Sequence, residues 1–461
     1  CPHLRRNFRE SGGVTLMQWA VTIGAAIGVA YTLSPLSMVF LGILVPIWLR
    51  FIRRLDGPER RWMIAIFGVA IALRLAAIAG LFLTADPNIP YANLFGDEEF
   101  FKRRTTWLRN VGMGIPISPA DYFYAFDQTG DTGYLYVLAY VQALFGLAPY
   151  GVHIMNLVFY LSATVILYRL VRPSFGGPAC IVAMCILLFL PSLFTWSISA
   201  LKEPLYFLVV AANLFAAMSL LSTGTIVKRL VMALLFALGS VILQSLREGG
   251  LAISIAGLLG GAILAWLVRR PKMLLVATLA APLTLASLMV VPRVQTIAWT
   301  AIHQAAYKHW GHVNTPGLTY KTLDDRLYRD RSSVATMTAP EAGRFVVRSV
   351  VSYLTVPTPW QIESRAALAF MPEQLVWYLV VLLIPIGTIV GWQRDPVLTS
   401  ILLVQGCAGA MLVALSGGNI GTLVRHRDLS MPFFAWLAGL GATRVAAAIV
   451  LGAWTPRTFF H

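Results

Sequence analysis

GLAISIAGLLGGAILAWLV, residues 250–268, runs for 19 residues without a single charge. Coiled as an α-helix it reaches roughly 28 Å at about 1.5 Å per residue, close to the ~30 Å hydrocarbon core of a bilayer. Comparable apolar runs occur near 14–33, 36–51, 62–84, 152–171, 178–197, 204–222, 230–246, 273–291, 374–392, 397–415 and 431–450. With 250–268 they predict about 12 spans, of which 36–51 is the shortest.

Composition agrees. The chain is 58% hydrophobic and 12% charged, with a mean hydropathy of +0.72. An average soluble domain is roughly 25% charged. A chain this apolar cannot cover itself with polar surface in water, which excludes a soluble enzyme, a disordered tail protein and a fibrous protein. The expected fold class is an all-α polytopic membrane protein. The stretch 131–149 is apolar and aromatic, but Asp131 heads it and Gly146 and Pro149 close it. It reads as a helix lying at the membrane interface. Four segments follow: an N-terminal two-span segment, 1–61; a transmembrane core, 62–291, with a long loop over 85–151; a second long loop segment, 292–373; and a C-terminal three-span segment, 374–461.

A net charge of +16 suggests nucleic acid until the charges are placed along the chain. With a cytoplasmic N-terminus, the cytoplasmic segments hold eighteen basic and four acidic residues, a balance of +14. The opposite side holds seventeen and sixteen, a balance of +1, and Arg74 lies inside a span. This is the bias by which Lys and Arg set membrane orientation, so no nucleic-acid partner is expected. Of the cysteines, Cys180, Cys185 and Cys407 lie in apolar runs, and no CxxC spacing occurs. Neither a disulfide framework nor a zinc site follows. A chain that opens on Cys1 is expected to be numbered from inside a longer or processed one.

Unusual polar residues gather on the outer side. Gly96-Asp97-Glu98-Glu99 opens an amphipathic helix in the first long loop. Acids favour a helix N-terminus through the dipole, and a carboxylate such as Asp97 there can serve as general base toward an incoming hydroxyl. Ser199-Ala200-Leu201-Lys202-Glu203-Pro204 begins a span; Lys202 either snorkels to the interface or binds an anion beside exposed helix amides. Arg247-Glu248 marks another outer boundary, and Arg425-His426-Arg427 precedes the last span. The Arg pair runs against the charge bias, which favours a ligand there. Arg74 is costly in lipid and should face the protein interior. His309 and His312 could share a metal, but no acids stand at ligand spacing.

This order of motifs resembles the GT-C superfamily of membrane glycosyltransferases, especially the glycosyltransferase family 39-like branch of protein O-mannosyltransferases and lipid A aminoarabinose transferases. The resemblance runs over most of 62–450. Its elements are Gly96-Asp97-Glu98, the Gly133-Tyr134-Leu135-Tyr136 stretch ending in Leu144-Phe145-Gly146, Tyr168-Arg169 through Phe175-Gly176, and Leu201-Lys202-Glu203-Pro204. It implies interfacial helices in the first periplasmic loop and an inverting transferase of the bacterial inner membrane, active on the periplasmic side. The donor would be a sugar on a polyprenyl phosphate, and the acceptor a lipid, glycan or protein. Asp97 would be the catalytic base, with Glu98 or Glu99 assisting. Lys202 would contact the donor phosphate, with Glu203, Arg247, Arg425 and Arg427 as further substrate-binding candidates. The head group is expected where Asp97, Lys202 and the Arg pair meet. No cofactor is required by this chemistry, although the acids could bind a divalent ion (Mg or Mn). The 292–373 segment is expected to cap the cavity.

Other readings are a polysaccharide polymerase or O-antigen-ligase-like enzyme using outer Arg and His residues, a transporter, or an accessory membrane subunit. A transporter should show internal repeats, and none is visible. The polymerase and the transferase differ in whether Asp97 is essential. Cysteine-accessibility labelling should find Thr129 outside and Gly176 on the cytoplasmic side; labelling of both from one side would sink this topology.

Overall fold

The computed structural model describes residues 17–28, 34–55, 57–85, 93–127, 131–147, 149–221, 224–361, 368 and 370–450. Cys1 and the ends of the 14–33 span lie outside the described residues. Within the described residues all regular structure is helical, and extended pairing is confined to one bridge between Thr319 and Asn419. The helices are α1 (Met17–Gly28), α2 (Pro35–Ile52), α3 (Gly57–Leu83), α4 (Gly96–Gly112), α5 (Pro119–Ala125), α6 (Gly133–Phe145), α7 (Pro149–Phe175), α8 (Gly177–Phe189) and α9 (Pro191–Ser197). They continue as α10 (Glu203–Leu221), α11 (Ile226–Leu246), α12 (Gly250–Val268), α13 (Pro271–Leu288), α14 (Pro292–Val313), α15 (Ala339–Thr355), α16 (Met371–Arg394), α17 (Pro396–Ser416), α18 (Ile420–His426) and α19 (Met431–Val450).

Ten of them, α2, α3, α7, α10 to α13, α16, α17 and α19, are long and apolar enough to cross a membrane. The chain is therefore a polytopic membrane protein. The predicted span 178–197 is built from two helices, α8 and α9, bent by 66° at their junction. Pro191 explains the break, because it lacks an amide hydrogen and pushes Leu190 into an extended backbone at ψ 126°. Counted as one span, the pair brings the total among the described residues to 11. The predicted first span is represented by α1, a shorter apolar helix. α6, with 13 residues, is about 20 Å long and too short to cross alone. α3 ends at Leu83, and Asp97 lies in the first turn of α4.

The residues divide into two compact units. The first comprises Cys1–Asp56, Gly68–Ala163 and Ser197–Leu208; the second comprises Gly57–Phe67, Thr164–Trp196 and Val209–His461. In the first, α4 packs against α5 and α6. One face of α6, with Tyr134, Leu135, Leu138 and Gln142, is buried, while Tyr140 and Leu144 are exposed. Arg104, itself buried, donates from Nε to the Ala125 carbonyl at 3.1 Å and so ties α4 to the end of α5.

In the second unit, several helix crossings bring backbone close to backbone, with glycine at the crossing points. A Cβ on Gly387 of α16 would stand 1.8 Å from the Leu437 carbonyl of α19, and one on Gly441 would stand 2.3 Å from the Leu383 carbonyl. Gly439 meets the Ala179 carbonyl of α8 in the same way, at 2.4 Å. Without a hydrophobic force between helices in lipid, such close approach supplies the dispersion that holds them. Tyr168 and Arg172, from one of the motif stretches, both hold the Glu59 carboxylate, Arg172 Nη2 at 2.7 Å. The 292–361 stretch builds a small core from Ala306, Leu323, Leu327, Val334, Met337, Ala342 and Phe345. It is pinned to the turn before α18 by Tyr320 N to Gly418 O at 3.0 Å and Ile420 N to Leu318 O at 2.8 Å.

Gly387→Ala should lower stability by about 1–3 kcal/mol, since the added methyl forces α16 and α19 apart. Gly68→Ala, whose Cβ meets nothing within 4 Å, should not. Thermal unfolding in detergent compares the two, and equal melting temperatures would contradict the close-contact account.

Candidate functional site

In the first unit, α10 is preceded by five residues, Ile198 to Lys202, that are not helical. Ile198, Ser199, Ala200 and Leu201 are all buried. Backbone that leaves the helix away from water needs partners from the protein. Here side chains supply them. The Ile198 carbonyl lies 2.6 Å from His153 Nδ1. Asn156 Nδ2 donates to the carbonyls of Ser199, at 2.6 Å, and Leu201, at 2.8 Å. The Tyr134 hydroxyl donates to the Ala200 carbonyl at 3.2 Å, and the Ala200 amide donates to Glu98 Oε1 at 3.2 Å. Just before this segment, Arg74 Nε donates to Ser197 Oγ at 2.7 Å. Arg74 is fully buried and its guanidinium also sits over the Tyr160 ring. It faces the protein interior, as its cost in lipid demands.

His153 has one consistent proton arrangement. A carbonyl oxygen only accepts, so Nδ1 carries the hydrogen that goes to Ile198. Nε2 is then the unprotonated nitrogen, and it faces Lys102 Nζ at 3.2 Å. Lys102 also donates to Asn93 Oδ1 at 3.2 Å and pairs with Glu98 Oε2 at 3.5 Å. The same Glu98 oxygen accepts the Leu94 amide at 3.2 Å. Glu98 and Lys102 stand one helical turn apart on α4, the spacing at which oppositely charged side chains meet. Burial pushes the Glu98 carboxyl above its usual range, opposed by the Lys102 charge. Burial likewise pulls the Lys102 ammonium down, opposed by Glu98. Together they place a closed ion pair under the 198–202 segment.

The predicted site residues fall into two groups. Asp97 is exposed in the first turn of α4, next to buried Glu98, and Lys202 is half-buried at the mouth of α10. Glu203, the first residue of α10, is buried. These four share the first unit, and the Glu98–Ala200 hydrogen bond joins the segments that carry them. Glu98 has both carboxylate oxygens engaged inside the protein, which suits a brace better than an assisting base. Glu99 instead pairs along the surface with Arg103, at 2.5 Å.

Arg247, Arg425 and Arg427 belong to the second unit. Arg247 closes α11. Arg425 places its guanidinium 5.4 Å from the Trp196 ring centre, and its carbonyl accepts the Trp196 indole N–H at 2.5 Å. Arg427 is buried against Trp377, 4.6 Å from its ring centre. It donates to Gln374 Oε1 and the Val356 carbonyl, both at 2.8 Å, and to the Tyr353 carbonyl at 3.2 Å. These bonds make it a strut. The suggestion that His309 and His312 share a metal also meets a local obstacle. His309 has its ring nitrogens on the Gly417 carbonyl and the Tyr328 hydroxyl, and His312 Nδ1 lies 2.7 Å from the Ser416 carbonyl. Burial holds His309 down at about 4. No group of three His, Cys, Asp or Glu side chains among the described residues is arranged to hold a metal ion.

Sequence reasoning missed Lys102, His153, Asn156 and Tyr134. Two signals were present: the Glu98/Lys102 spacing, and a His and an Asn three residues apart inside an otherwise apolar run, where polar residues mark functional or structural necessity. Truncating Glu98 should be costly because it leaves the Lys102 ammonium buried without its counter-charge. Glu98→Ala is expected to lose about 3–5 kcal/mol, and the double change Glu98→Leu with Lys102→Met much less. Denaturant unfolding measures both, and a double variant as unstable as the single one would refute the ion-pair account.

Compared with protein-family models, curated proteins and solved structures, the chain matches none.

Proposed function

We propose that the protein is a membrane glycosyltransferase that moves a sugar from a polyprenyl phosphate to an acceptor hydroxyl. Asp97 acts as general base and Lys202 contacts the donor phosphate. The observation that carries the reading is the Glu98 Oε1–Ala200 N hydrogen bond at 3.2 Å. It fastens the first turn of α4, which bears Asp97, to the peptide that leads into Lys202. Successive helical residues point about 100° apart, and so Glu98 can be buried as the fastener while Asp97 stays exposed.

In this scheme the Asp97 carboxylate takes the proton of the acceptor hydroxyl as its oxygen bonds to the anomeric carbon. The bond from that carbon to the phosphate oxygen breaks, and its electron pair leaves with the polyprenyl phosphate. Attack from the face opposite the leaving group inverts the anomeric configuration. Lys202 stabilises the negative charge that gathers on the departing phosphate. The lipid tail would lie along the apolar spans, at the outer face of a bacterial inner membrane. Arg247, Arg425 and Arg427 take no part in the scheme.

The test is transfer by purified protein in proteoliposomes, assayed with a panel of polyprenyl-phosphate-linked sugars. Asp97→Asn should lower turnover by about 10²- to 10⁴-fold, the usual contribution of a general base, and leave donor binding intact. Lys202→Ala should weaken donor binding by about tenfold to a hundredfold, the contribution of one charge-assisted hydrogen bond. Near wild-type turnover in Asp97→Asn would overturn the base assignment and favour the polymerase or transporter readings.

A further inference from the structure

Lys202 is useful to a phosphate only if its long side chain starts from a fixed point. The Leu201–Lys202 peptide unit is planar, so holding the Leu201 carbonyl fixes the direction of the Lys202 amide. Asn156 holds that carbonyl at 2.8 Å. On the other side, the Lys202 carbonyl accepts the Tyr206 amide at 2.9 Å, within the first turn of α10. The Lys202 backbone is thus held before and after.

The amide of Asn156 carries two hydrogens and has three acceptors around it: the Ser199 carbonyl, the Leu201 carbonyl and the Tyr134 hydroxyl at 2.9 Å. The hydroxyl passes its own hydrogen to the Ala200 carbonyl. Three consecutive carbonyls, 199 to 201, are therefore gripped by one linked pair of side chains. The grip has a cost. Asn156 is fully buried, and its own Oδ1 has no hydrogen-bond partner among the described residues.

We propose that Asn156 and Tyr134 are positioning residues that act through Lys202, holding it where a polyprenyl phosphate head group is bound. The proposal rests on the reading of Lys202 as the donor-phosphate contact. A purely structural role, satisfying an unwound buried peptide, would affect folding and the active fraction but would be indifferent to whether Lys202 is present.

A double-mutant cycle separates these roles. Binding of a long-chain polyprenyl phosphate, without sugar, is measured on purified protein in nanodiscs. The set comprises wild type, Lys202→Ala, Asn156→Ala, Tyr134→Phe, and each of the last two combined with Lys202→Ala. Thermal unfolding is recorded alongside so that lost protein is not read as lost affinity. Each clamp variant is expected to weaken binding by about threefold to tenfold on its own, and by less than about twofold when Lys202 is already alanine. With a sugar-bearing donor, the KM should rise while kcat is largely kept. Tyr134→Phe removes one oxygen and keeps the ring, so it carries the test if Asn156→Ala does not survive purification. Clamp variants that bind like wild type, or that weaken binding by the same factor in both backgrounds, would overturn the positioning role and leave the donor-site reading intact. Wild-type affinity in Lys202→Ala would overturn the donor-site reading and the clamp with it.

Discussion

A peptide that stops being helical in the interior of a membrane protein has no water to turn to, and that constraint organises the first unit. Residues 198–201 leave α9 and enter α10 with four carbonyls that need donors. His153, Asn156 and Tyr134 answer them from α7 and α6. Each donor then needs its own setting. His153 requires the neutral Nδ1–H form, which is compatible with Lys102 at Nε2; Lys102 requires Glu98; and Glu98 returns to the Ala200 amide. The circuit closes on the segment where it began. Buried charges are tolerable in such a place only when paired and hydrogen-bonded, and the circuit provides both.

Much of the fold was legible in the sequence because the bilayer imposes one simple requirement, length of apolar helix. The ends of α7, α12, α17 and α19 fall within a few residues of the runs read from hydropathy alone. The bend inside 178–197, which the sequence reading did not include, has an equally simple cause. Hydropathy averages over a run and is blind to direction, whereas Pro191 changes direction without changing apolarity. The companion signal, Glu373 as a distant acceptor for the Ser192 amide at 2.9 Å, lies in another helix and leaves no local trace.

The candidate site was less legible. Asp97, Glu98, Lys202 and Glu203 stand out in the sequence because charges are rare in an apolar chain. Which of the acids would be buried was not found, because it depends on the rotation of α4 against α6. Tyr134 is, in the sequence, one aromatic in an apolar stretch, and its hydroxyl gains meaning only beside Asn156 and Ala200. Arg427 stands differently. Its position against the charge bias suggests a ligand, and in the structure its guanidinium donates to three protein oxygens. Charge patterning cannot separate a cation awaiting a partner from one that has found it in the chain.

The glycine contacts of the second unit carry a mechanical consequence. Where a carbonyl of one helix rests where a neighbouring Cβ would be, no flexible side chain lies between the two backbones to take up a displacement. Shear between α16 and α19, or between α19 and α8, drives rigid atoms into one another, and these three helices therefore transmit force as a single stiff plate. At the other extreme is α13, none of whose apolar span is buried within the protein. It has nothing comparable to push against. Compliance in this unit is thus unevenly shared, and a lipid pressing between helices would meet far less resistance beside α13 than along the α8–α19–α16 face.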